Sequence, residues 1–294
     1  MSKKLVYSLG RRGFFSEINN LVLAIIYSKR YGYNLIVNTF YWNYRIKKGL
    51  GDYFKCNLSV SNNPLSAQMT RTGISEKFNP MSLHDWFYKL CEYQNKIYDA
   101  ISRNMVWGKQ VYNQLRSPSF RNSILRDEFS KELGEILALN ETIGEKVKSI
   151  RRDIGLPDDF IGVHIRRGDK ITTGEMDNIS LKRYVSKIEE YDIDDVYIAT
   201  DDISTINSIR EALDNKYKIY HNPCLKTNGF NEGAFNKLSK RAKQMEAETL
   251  LTDMFILFDS KNFIGTYSSN LSRVVPCIIG FDKCISLDDE WSIG

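Results

Sequence analysis

Phe160-Ile161-Gly162-Val163-His164-Ile165-Arg166-Arg167-Gly168-Asp169-Lys170 opens as a strand and closes as a cluster of charge. Ile161, Val163 and Ile165 alternate onto one face, while Gly162, His164 and Arg166 line the other. Arg167, Gly168, Asp169 and Lys170 follow where the strand should end. Open α/β sheets take ligands just beyond the carboxyl ends of their strands. Cations gathered there suit an anion, phosphate above all, because a planar guanidinium meets it with two parallel bonds. The plainer reading is a salt-bridge cluster in which Arg167 and Asp169 neutralise one another. Residues elsewhere must decide.

Downstream of this strand the chain alternates regularly. Helical spacing over 180–191 leads to the strand Val196-Tyr197-Ile198-Ala199-Thr200, which ends in Asp201-Asp202. A helix over 203–215, a short strand over 217–220 and a polar loop over 222–233 follow, then a long helix over 238–260. Phe263-Ile264-Gly265-Thr266-Tyr267 is the next strand, ending in Ser268-Ser269-Asn270, and a helix from Leu271 is expected to be cut at Pro276. Such alternation means a parallel sheet with helices on both faces. Its parallel strands deliver His164 to Lys170, Asp201-Asp202 and Ser268-Ser269-Asn270 to one edge. Ser268 and Ser269 stand where strand passes into helix, so hydroxyls and helix amides can share a phosphate.

Asp253 sits among Leu250, Leu251, Met254, Leu257 and Phe258, on the buried side of the long helix. An unpaired carboxylate there costs several kcal/mol, so it needs a partner. Periodicity favours a neighbouring arginine over the N–H donors of a bound base.

Upstream, Leu5 to Leu9 reads as a buried strand and Gly10-Arg11-Arg12-Gly13 as a basic, glycine-bounded turn. A helix with Ser16 as N-cap and Leu35-Ile36-Val37 as the next strand complete the opening unit. The turn lacks the dinucleotide G-x-G-x-x-G pattern, yet amides at a helix N-terminus can receive an anion. Residues 82–104 carry a helical apolar stripe in which the lone His84 reads as surface or cap, and helices are expected over 122–138 and 141–154. Gly155-Leu156-Pro157 then breaks the chain.

With 294 residues, 42% hydrophobic and 26% charged, the chain has the make-up of a soluble globular protein of two domains, expected over 1–155 and 156–294. A net charge of +5 with no basic arm or zinc-finger spacing speaks against nucleic acid. The five cysteines form no C-x-x-C pair, which fits a reducing compartment and no metal knuckle. No signal peptide and no membrane-spanning run is read, so a cytoplasmic protein is expected, with peripheral membrane contact allowed.

Together the segments VHIRRGDK, VYIATDD and LLTDMFILFDSKNFIGTYSSNLSRVV resemble, in order and spacing, the motifs of the α-1,6-fucosyltransferases, the NodZ-like group to which α-1,2- and protein O-fucosyltransferases are more distantly related. The resemblance covers roughly residues 140–280 well and 5–40 weakly, since Ser16-Glu17 stands where Gln or Asn is usual. It implies a GT-B-like pair of Rossmann-type α/β domains facing across a cleft. It also implies an inverting, metal-independent transfer of fucose from GDP-fucose to a glycan acceptor, with no cofactor beyond the donor. By position, Arg166 would hold the β-phosphate, His164 and Asp253 would read guanine, and Ser268, Ser269, Asn270 and Gly13 would meet the donor. Asp201 and Asp202 fall on an acidic pair with a binding or supporting role, and Arg167 and Asp169 would brace the loop. Lys170 would help stabilise the leaving charge, and Glu175 is the nearest candidate for the general base.

Other readings have their own marks. A related fold could use another nucleotide sugar, such as UDP-rhamnose, and the contacts of His164 and Asp253 to the base discriminate. A non-catalytic glycan-binding module would have no need of all three strand-end motifs. Asp192-Ile193-Asp194 has the D-x-D form of metal-dependent transferases, but it precedes a strand instead of ending one.

Overall fold

A computed structural model describes residues 3–64, 66–67, 105–174 and 177–293. The apolar stripe at 82–104 and His84 lie outside the described residues. The first sheet is parallel, in the order β3 (Ser59–Ser61), β2 (Asn34–Asn38), β1 (Lys4–Ser8), β4 (Met105–Trp107). Helix α1 (Phe14–Arg30) follows β1 and buries Ile18, Leu21, Val22 and Ile26. Truncating one such side chain to alanine costs about 2–5 kcal/mol. The helix begins earlier than its sequence predicts. Its N-cap is Gly13, not Ser16, because the apolar Phe14 and Phe15 are themselves buried in its first turn.

The second sheet is also parallel, in the order β7 (Lys218–His221), β6 (Asp195–Thr200), β5 (Ile161–Ile165), β8 (Asn262–Gly265), β9 (Cys284–Ser286). All five residues of the central β5 are buried, as a strand covered on both faces requires. Helix α10 (Lys240–Phe258) lies so close on β5 that a Cβ at Gly162 would stand 2.8 Å from Ser260 Oγ and 2.9 Å from Leu257. Only glycine permits that approach.

Helices α4 (Arg126–Ile136) and α5 (Glu141–Asp153) connect the two sheets. Helix α5 ends at Gly155, whose φ of +64° is the left-handed turn that glycine adopts without strain. It packs on α10, with Lys146 Nζ 2.5 Å from Glu248 Oε2. Helix α4 packs on α11 (Val274–Ile279). Pro276 does not cut α11 as predicted. It occupies the first turn, where its missing N–H would have had no intrahelical partner. No described helix is long and apolar enough to cross a membrane.

Candidate active site

The two sheets present their carboxyl edges to one another. The N-terminus of α1 faces the ends of β5 and β8 across a cleft of about 340 Å³. Arg12, Gly13, His164, Arg166, Ser269 and Asn270 all line it, so the first loop and two of the three strand-end motifs meet there.

Arg166 emerges from the end of β5. Its Nη1 lies 2.9 Å from Asp201 Oδ2 and its Nη2 lies 3.5 Å from Asp169 Oδ1. Its guanidinium also stands 4.9 Å from the centroid of the Phe230 ring. Two carboxylates and an aromatic face thus aim the side chain while leaving donors over for a ligand. Gly168 makes the turn possible, since a Cβ there would approach Phe230 O to 2.4 Å and Asp201 Oδ2 to 2.5 Å. Asp169 Oδ2 accepts the Glu232 N–H at 2.6 Å and Arg167 bonds Asn178, so both residues tie the loop to its neighbours. Lys170 falls in the one-turn helix α6 (Asp169–Thr172), and Glu175 lies outside the described residues.

His164 is 6% exposed, and its Nδ1 is 2.7 Å from Ser272 Oγ. Burial, reinforced by the Arg166 charge, pushes its pKa down to about 3. The ring is therefore neutral at physiological pH and offers hydrogen bonding without charge. Ser269 is buried beside it in the lining, and Asn270 reaches α1 by accepting the Asn19 side-chain N–H at 3.2 Å. Ser268 turns away from the cleft. Its hydroxyl and backbone N–H both donate to Asp288.

The acidic pair after β6 supports the loops. Asp201 accepts the Arg167 N–H at 2.7 Å and the Phe230 N–H at 3.1 Å, besides pairing with Arg166. Asp202 is the N-cap of α8 (Ile203–Ala212), accepting the Ser204 N–H at 2.9 Å. Neither lines the cleft.

Asp253 is buried as expected, but its partner is not an arginine. Tyr197 Oη donates to its Oδ1 at 2.7 Å. Burial raises its pKa to about 7, against the lowering effect of bonds from Tyr197 and Asn222. The nearest turn of the same helix brings Leu250 into the cleft lining.

The basic turn Gly10–Gly13 already holds a carboxyl group of this chain. Glu17 Oε2 accepts the Gly10 N–H at 2.8 Å, and burial raises the carboxyl's pKa. Asp192-Ile193-Asp194 lies at the amino end of β6, away from the cleft, with Asp194 3.3 Å from Lys216. Sequence reasoning missed Tyr44, Phe230, Glu232 and Asp288. The first three come from irregular segments or a helix start that only the packing brings to the cleft, and no local pattern marks them.

A sequence profile described as α-(1,6)-fucosyltransferase N- and catalytic domains matches residues 130–280. Among solved structures, NodZ α-1,6-fucosyltransferase soaked with GDP-fucose is similar at 13% identity, with a TM-score of 0.59 over 95% of this chain and 93% of that one. NodZ from Bradyrhizobium gives 12% identity and a TM-score of 0.56 over 95% of this chain and 94% of that one. POFUT1 in complex with GDP gives 12% identity and a TM-score of 0.54 over 94% of each chain. No curated protein matches the sequence. The fold is the GT-B-like arrangement of two α/β units across a cleft.

Proposed function

The chain belongs to the family of α-(1,6)-fucosyltransferase N- and catalytic domains, and on that premise we propose that it transfers fucose from GDP-fucose to a hydroxyl of a glycan acceptor, with inversion and without a metal. The observation that carries this reading is Arg166, aimed into the cleft beside the neutral His164 and opposite the amides that begin α1.

In the reaction the acceptor oxygen attacks the anomeric carbon as its bond to the β-phosphate oxygen breaks. GDP leaves with the electron pair, and the acceptor proton passes to a base. Arg166 holds the β-phosphate and stabilises the charge that grows on it, the kind of contribution a prearranged cation makes in a water-poor cleft. Ser269, Asn270 and the Gly13 end of α1 meet the diphosphate, and Lys170 adds positive charge from the same loop. His164 reads the guanine together with Asp253, whose carboxylate Tyr197 orients. Residues 156–294 supply the donor side and residues 1–155 the acceptor side.

Two carboxylates compete for the role of base. Glu175 is the one the sequence resemblance implies, and Glu232 is the acidic side chain in the described cleft lining. Glu→Gln at the true base lowers kcat by about 10²–10⁴-fold with donor affinity kept.

Thermal shift with GDP, UDP and GDP-fucose, with and without EDTA, tests the donor. Saturation at about 100 times Kd adds about 2.7 kcal/mol of stability. An EDTA-insensitive response selective for GDP is expected. A response to UDP instead would keep the transferase and replace the sugar, and an EDTA-sensitive one would overturn metal independence.

A further inference from the structure

A second cavity, about 520 Å³ in volume, lies along α1 on the other side of Arg12, Ser16 and Asn270, which it shares with the donor cleft. That size suits a small-molecule site, typically about 300–1,000 Å³. Arg12, Arg116, Arg121 and Arg273 all line it, and among the described residues no acidic side chain does. Arg12 and Arg116 both donate to the single Tyr112 hydroxyl, each at 2.5 Å, and both guanidinium groups stand over that tyrosine's ring. Arg273 Nε donates to the backbone oxygen of Tyr267 at 2.5 Å. Burial, with the charges of Arg116 and Arg273 beside it, lowers the pKa of Arg121.

Two polar atoms in the wall are buried without a hydrogen-bond partner, Arg121 Nε and Asn19 Oδ1. One is a donor on a cation and the other an acceptor. Leaving both unmet is a cost that the protein alone does not relieve. An inorganic anion would answer only the first. A sugar acid answers both, with its anionic group for the guanidinium groups and a hydroxyl for the amide oxygen.

We infer that this crevice receives an acidic sugar of the acceptor, carrying a carboxylate, sulfate or phosphate, and that it selects acidic glycans for the transfer. The inference rests on the transferase reading above. The shared wall at Arg12, Ser16 and Asn270 sets such a sugar directly beside the donor, where an acceptor has to lie.

Isothermal titration with a glucuronate-bearing oligosaccharide, its neutral glucose counterpart, inorganic phosphate and GDP provides the test. The intact protein should bind the acidic oligosaccharide at least about ten-fold more tightly than the neutral one, because a hydrogen bond to a charged group is worth that much. Phosphate should compete with the acidic oligosaccharide while GDP stays bound. Arg121→Gln and Arg116→Gln should each weaken the acidic ligand by about ten-fold and leave GDP affinity unchanged. Arg116 is exposed, so its variant carries the test should Arg121→Gln fail to fold. Equal binding of acidic and neutral oligosaccharides overturns the inference, as does wild-type affinity in both variants. Phosphate displaced by GDP instead of by the acidic oligosaccharide overturns it too, since the anion would then sit in the donor cleft. Failure of GDP to bind the intact protein sinks the donor assignment separately, because the crevice is read by the other ligands.

Discussion

Arg166 Nη1 lies 2.9 Å from Asp201 Oδ2, and the same carboxylate also accepts the backbone N–H groups of Arg167 and Phe230. One side chain at the end of β6 thus fixes both the cation that points into the cleft and the two loops that frame it. Asp201→Ala leaves a half-buried guanidinium with only its longer contact to Asp169, and leaves two amides unpaired. Breaking such a pair costs about 3–5 kcal/mol when it is buried, and somewhat less here where solvent still reaches it. Urea unfolding should register that loss, and calorimetry should show GDP binding weakened at the same time. Unchanged stability would mean that the loops hold themselves.

Arg166→Ala should abolish transfer while the protein stays folded, as followed by circular dichroism. Arg166→Lys should rescue little. A lysine keeps the charge but cannot reach Asp201 and a phosphate together through a planar fork. Near-normal activity in the lysine variant would reduce Arg166 to a point charge.

His164 and Asp253 bend the pH dependence of stability in opposite directions. The histidine pKa falls from 6.5 to about 3 on folding, so the unfolded chain binds more protons between those values. Its contribution is complete above pH 6.5 and is lost as pH falls towards 3. The aspartate pKa rises from 3.8 to about 7, so the folded chain binds the extra proton. Its contribution is present below pH 3.8 and is lost as pH rises through 7. Melting temperatures measured across pH 4–8 should show, relative to wild type, Asp253→Asn removing the loss of stability as pH rises to 7 and His164→Asn removing the loss as pH falls to 4. Parallel profiles for variant and wild type would remove the residue concerned from this balance.

Gly168→Ala should destabilise by about 1–3 kcal/mol, as overpacking does. The added methyl meets the backbone oxygen of Phe230 and the carboxylate of Asp201, and the first cannot rotate aside. Thermal melts and GDP titration should therefore worsen together. A variant that melts later than wild type would show that the loops part freely.

The sequence made the second sheet legible because its strands are short apolar runs ending in polar clusters, the pattern a doubly covered parallel sheet leaves. It also made His164, Arg166, Ser269 and Asn270 legible, since strand ends of a parallel sheet share an edge. Other roles depended on distance across the chain. Nothing near Asp253 in sequence announces Tyr197, which comes from β6. Ser268 resembled a phosphate ligand until Asp288, twenty residues on, claimed its hydroxyl and amide. Asp201 and Asp202 looked like one acidic pair, yet the backbone turns between them, so one braces loops and the other caps a helix. The short strands β3, β4 and β9 span three residues each, too few to carry an alternation.

The pairing of β5 with β8 joins Ile161 to Asn262, a separation of 101 residues, 262 minus 161. His164 meets Ser272 only once that pairing has closed. Contacts between such distant parts of a chain form late, because the loop entropy must be overcome before they contribute. The cleft around His164 is therefore among the last features of the protein to be assembled during folding. A partly folded chain can hold β5 against β6, whose register begins at Ile161 and Val196, and still lack the cleft. Binding of any ligand in that cleft would thus report on the completeness of the fold itself.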